Sequence, residues 1–128
     1  PFEHRSFGEE LALCQRYYAV VAHGAASQDG TSHPISMGAM YSSSVLYSNL
    51  ELPCDMRTTP TLEIVSATDY YLFFRNGGSD AVDDFALTKW GTRVLEFFNN
   101  SDISGTAGHS GFIRTANSAA KFALTAEL

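Results

Sequence analysis

Four histidines, His4, His23, His33 and His109, are the side chains of this chain best suited to metal or proton chemistry. A zinc site draws its ligands from short repeated spacings, and none of the four sits at one. They read as hydrogen-bonded loop histidines, with His4 placed to help cap a following helix. Asp80, Asp83 and Asp84 form a small acidic cluster. A calcium loop needs oxygen ligands at alternating positions around a fixed glycine, and this run lacks that order. It reads as a solvated loop. Glycoside hydrolysis needs two carboxylates facing each other across a cleft, and no pair stands out. Gly108-His109-Ser110-Gly111 sets a serine among small residues but lacks the strand–turn–helix setting of a nucleophile elbow. Gly77-Gly78 belongs to a hairpin rather than a phosphate loop. These patterns predict no catalytic residue, no metal site and no cofactor.

The aromatic residues are more informative. Tyr70, Tyr71, Phe73, Phe74, Trp90, Phe97 and Phe98 cluster in strand-like runs. Side chains alternate across a strand, so one ring of each doublet faces the core and the other faces out. Outward rings need a second surface, either a neighbouring subunit or a sugar ring. Tyr70, Phe74 and Phe97 are candidates for a subunit interface. Trp90 is the candidate for stacking on a glycan.

Composition narrows the classes. At 128 residues the chain is one domain's worth, and 45% hydrophobic residues supply a core. The net charge is -6, with 8 Lys and Arg spread along the chain, so a general phosphate-backbone binder is not expected. No apolar run is long enough to span a membrane as a helix. Pro1 stands where a translation start would place Met, which predicts that the chain continues a longer product. Cys14 and Cys54 are too few for a disulfide framework and read as free, buried thiols.

The elements that position these residues begin with a helix over about 6–17. Ser6 and Glu9 have capping-box spacing, and Glu9 and Glu10 favour the positive end of the helix dipole. Arg5 and Glu9 lie four apart and can pair. Phe7, Leu11, Cys14 and Tyr18 share one face, widened by Leu13 and Tyr17, and that face is expected to pack on a sheet. The outer face, with Arg5, Glu9, Leu13 and Arg16, is expected to meet a neighbouring copy.

After the helix come nine strand-compatible segments, read as about seven or eight short strands. They are expected over 16–23, 33–41, 45–52, 61–67, 70–75, 80–87, 89–99, 112–115 and the closing 119–128, the segment at 80–87 being the weakest. Asp29-Gly30 marks a turn, and Asn76-Gly77-Gly78 a hairpin in which Gly77 takes a positive φ. Residues 89–99 read as one strand, either buried on both faces or carrying a bulge at Gly91, with a helix over 92–98 as the alternative. Ile35, Met37 and Ala39 are expected on one face, Ser36, Gly38 and Met40 on the other. The fold expected is mainly β: an antiparallel, jelly-roll-like sandwich with one short N-terminal α-helix, as a single domain over 1–128.

Residues 5–18, RSFGEELALCQRYY, resemble a motif of virion proteins of tailed bacteriophages, marine ones in particular, described as tail fibre or structural proteins. There the motif opens a compact C-terminal β domain of similar length. Pro53, Met56-Arg57 and Pro60-Thr61 are similar to a second element of that family, and Ala126-Glu127-Leu128 to its usual close. The resemblance implies a non-enzymatic virion structural domain, an oligomerising module of a tail fibre or particle-surface protein. Its partners would be two further copies in a homo-trimer and other virion proteins. Its location would be the particle surface or tail. The alternative is a lectin-like module recognising host surface glycans, and a capsid decoration protein stands between the two.

Overall fold

The structure is a computed structural model describing residues 6–24 and 33–126. Helix α1 (Phe7–Gln15) starts where the sequence signals it: Ser6 is extended, and its hydroxyl accepts the Glu9 amide at 3.2 Å. The helix closes on Arg16, whose amide reaches back to the Leu13 carbonyl.

The expected packing of α1 on a sheet is not found. Phe7 is 83% exposed and Leu11 45%. The backbone ties to the rest of the domain leave from the C-terminal end, where Arg57 N donates to Arg16 O at 2.9 Å and Ala126 N to Tyr17 O at 2.8 Å. Leu11→Asp should therefore change monomer stability by no more than about 0.5 kcal/mol, not by the several that a packed helix would imply.

Ten strands follow among the described residues: β1 (Tyr18–His23), β2 (Pro34–Ser42), β3 (Val45–Glu51), β4 (Thr61–Val65), β5 (Tyr71–Arg75), β6 (Gly78–Val82), β7 (Ala86–Trp90), β8 (Val94–Asn99), β9 (Ser110–Thr115) and β10 (Lys121–Thr125). They form two antiparallel sheets, β1-β10-β4 and β6-β5-β9-β2-β3-β8-β7. The result is mainly β and sandwich-like. One strand more forms than the nine segments expected, and it has a clear origin. Residues 89–99 are two strands rather than one, because the chain turns at Gly91, whose amide donates to Val94 O at 2.9 Å. The Asp29-Gly30 turn lies outside the described residues.

The core forms where the sheets face each other. Phe122 of β10 packs, tilted, against Phe97 of β8 at 5.0 Å between ring centroids, and Phe85 meets Phe97 edge-on at 5.3 Å. Tyr71 of β5 packs on Phe85 at 5.4 Å. Its hydroxyl lies 2.7 Å from Val65 O and 2.9 Å from Lys121 O, so the large sheet is bonded to β4 and β10 of the small one. Burial pushes the Tyr71 pKa well above the ordinary tyrosine value, helped by the negative charge of Asp84. A second polar tie sits at Thr115. Its buried hydroxyl accepts the His33 amide at 2.7 Å and donates to Gly24 O at 2.9 Å.

Two outcomes test this arrangement. Tyr71→Phe should cost about 1–2 kcal/mol in denaturant unfolding, since the two part-buried carbonyls that share its one proton lose their donor. The stability from this phenol is complete below pH of about 10 and falls above it, because only the unfolded chain then releases the proton; the Phe variant should lack that alkaline decline. At the hairpin, Asn76 and Gly77 have φ of 37° and 77°, so Gly77→Val should cost about 1–2 kcal/mol, read as a lower denaturation midpoint.

Candidate binding face

Alternation along the large sheet sends Phe73, Leu46, Phe97 and Ile113 into the core. It leaves another set bare on the outer side. Tyr41 is 76% exposed, Met37 62% and Phe112 57%, and Phe74 is also exposed. Register makes them neighbours: Phe74 pairs with Phe112 across β5 and β9, and Phe112 with Met37 across β9 and β2. The Arg114 guanidinium lies 4.0 Å over the Phe74 ring, covering one of its faces with a cation. The two strands approach so closely at Gly111 that a Cβ there would collide with the Phe74 carbonyl.

Sequence alternation misplaced this face, for a physical reason. Register shifts between Pro34 and Ser36, and again between Met40 and Ser42. Each shift interrupts the alternation, so Ile35 points in while Met37 and Ala39 point out, and Met40 points in. The exposed Met37, Tyr41 and Phe112 were consequently missed. An alternation reset beside Pro34 was the available signal.

Beside the apolar row lies a shallow groove of about 330 Å³ between β9, β2, β3 and β8, lined by Met37, Ala39, Tyr47, Asn49, Glu96 and Ser110. Ala39 pairs with Ser110 on one side and Tyr47 on the other, so a small side chain forms the floor. Asn49 pairs with Glu96, which places both on one face. The Tyr47 ring is held between Tyr41, edge-on at 5.6 Å, and Phe98 at 6.0 Å. On the buried side, Ser48 bonds the Ser36 hydroxyl at 2.6 Å and fixes β2 against β3.

The residues singled out from sequence are scattered. Arg5 lies outside the described residues. Glu9, Leu13 and Arg16 are exposed on α1 and its cap, Tyr70 is half-buried before β5, and Phe74 is on the outer face. Phe97 is fully buried, so the expectation of an interface role there is corrected: the turn at Gly91 sets its parity independently of Trp90. Trp90 ends the edge strand β7, and its side chain is outside the described set. Cys14 is exposed rather than buried, Cys54 is half-buried, and they form no disulfide. His4 also falls outside the described residues. The His33 ring bonds Pro34 O at 2.8 Å, and His109 is half-buried with no partner for Nδ1 among the described residues. Among the described residues, no three His, Cys, Asp or Glu side chains converge as metal ligands.

The acidic cluster does structural work that its spacing did not reveal. Asp80 accepts the Ser104 amide at 2.6 Å, Asp83 the Asp69 amide at 2.8 Å, and Asp84 the Phe85 amide at 2.8 Å. Buried Asn99 is the hub: its Nδ2 donates to Asp84 O and Asp102 Oδ1, both at 2.7 Å. Its Oδ1 accepts the amides of Ser101, Asp102 and Ile103. These bonds lock the connection that carries Phe85 into the core. Asn99→Ala should cost about 2–3 kcal/mol in denaturant unfolding, far more than a loop substitution. No protein-family profile, curated protein or solved structure matches this chain.

Proposed function

We propose that this chain is a non-enzymatic structural domain of a phage virion, a self-assembling module of a tail fibre or particle-surface protein, with a trimer as its working form. The observation that carries the reading is helix α1. It has nine residues, too few to be stable in water unaided. It is joined through its C-terminal end, and it exposes Phe7, Leu11 and Leu13, with exposed Tyr17 just beyond its cap. Apolar side chains in that density on a short projecting helix call for a covering surface. Two further copies supply one, with the helices meeting around a common axis and Glu9 and Arg16 at the rim. The virion assignment rests on the resemblance of residues 5–18 and of the two shorter elements.

The strand pairing supports a jelly-roll-like reading of the sandwich. β1 pairs with β10 and β2 with β9, one hairpin nested within another. β4 then joins β10, and β5 with β6 joins β9, which divides the nested strands between two sheets in the jelly-roll manner. β3, β8 and β7 extend the larger sheet beyond that plan.

Light scattering over a dilution series tests the assembly. The parent should hold a trimer mass into the micromolar range. Phe7→Ser combined with Leu11→Ser should give a monomer with an unchanged core, judged by denaturant midpoint. A parent that is monomeric throughout, or a double variant that remains trimeric, would remove the helix-mediated reading.

A further inference from the structure

We propose that the free edge of β4 is a docking site for another protein, which adds an extended segment there as a fourth strand of the small sheet. The segment has apolar residues at alternate positions with a basic residue between them. Assembly through α1 is a separate matter, and neither conclusion depends on the other.

The two sheets end in four edges: β1 and β4 on the small one, β6 and β7 on the large one. An edge strand presents a row of backbone donors and acceptors, and another extended chain is what matches them. Three of the four edges are blunted. The pairing of β1 slips between Val20 and Ala22, and that of β7 between Leu87 and Lys89, so each is interrupted along its length. On β6, Asp80 stands opposite the fully buried Phe73, which sets a charge on the inner side of that edge. β4 has none of these devices. Its residues from Thr61 to Val65 pair with β10 in unbroken register. Apart from Glu63 they are all β-branched or apolar, the composition that favours strand pairing.

The space beside β4 suits what an added strand brings. A cleft of about 380 Å³ opens there, lined by Leu62 and Ile64 on one side and by Phe85 and Leu87 on the other. Leu62, Ile64 and Leu87 are each only half-buried. Side chains alternate along a strand, so the inward set of the newcomer follows the spacing of Leu62 and Ile64 and enters this cleft. Backbone pairing supplies the attachment, and the cleft selects apolar residues at alternate positions.

Charge separates a foreign strand from a second copy. Glu63 points to the other side of β4, half-exposed, with Oε1 3.1 Å from Lys121 Nζ. Full-length antiparallel pairing of two β4 strands matches Thr61 with Val65 and places Glu63 against Glu63. Like charges directly opposed across a strand pair are destabilising, whereas a Lys or Arg at that position is favourable. The net charge of -6 acts in the same direction.

The test is fluorescence anisotropy of the whole chain with two labelled peptides, whose central residues read Thr-Val-Lys-Val-Thr and Thr-Ile-Lys-Ile-Thr, joined to amide hydrogen exchange. At least one peptide should bind saturably and slow exchange at β4, leaving β1, β6 and β7 unchanged. N-methylation of one alternate set of peptide amides should weaken binding about tenfold or more, and of the other set little, because only one set faces β4. Glu63→Lys should move the preference to a peptide with Glu at the centre. Ile64→Lys puts a charge at the cleft and should also weaken binding about tenfold; the methylated peptides and Glu63→Lys decide the matter if that variant folds poorly. The Phe7→Ser, Leu11→Ser variant should keep the affinity per site. No binding of either peptide, indifference to methylation, or protection at a different edge would overturn the proposal. So would protection of β4 that rises with the concentration of the chain alone, which would give the edge to a second copy.

Discussion

Phe85 enters the core from a connection rather than from a strand, and much of the structure depends on its staying there. Its ring touches Tyr71 and Phe97 from the large sheet and Phe122 from the small one. Three strands face seven, so the small sheet cannot cover the inner surface of the large one alone. Phe85 closes part of that shortfall. An aromatic side chain on an irregular segment needs its backbone held, and the Asn99–Asp102–Asp84 network holds it. The polar network and the aromatic cluster are therefore one device: the hydrogen bonds fix the chain so that the ring can fill the gap between sheets. Buried polar groups of this kind stabilise when every member is satisfied, and Asn99 uses both its amide hydrogens and its oxygen.

The same accounting explains which parts of the fold were legible in the sequence. Local signals worked well. The Ser6 cap, the Asn76-Gly77 turn and the strand runs at 45–52 and 70–75 each depend on neighbours a few residues away, and each lies where its residues place it. Parity was read correctly where a strand is regular: Phe73 points in and Phe74 out. It failed where a bulge or tight turn reset it. Gly91 was read as a bulge within one strand, yet it turns the chain between two. That single difference buries Phe97, which as a free-standing doublet with Phe98 carried no mark of which ring would face in.

Non-local chemistry was illegible for a different reason. Asp80 and Asp83 look like part of a solvated acidic loop because the amides their carboxylates accept, of Ser104 and Asp69, come from other connections, as does Asp102, which accepts the Asp83 amide. The groove is equally hidden. Its residues arrive from four strands whose order in space, β9-β2-β3-β8, bears little relation to their order in the chain. Helix α1 is the opposite case: its periodicity was plain, but periodicity says only that one face is apolar. It does not say that the monomer provides the surface to cover it.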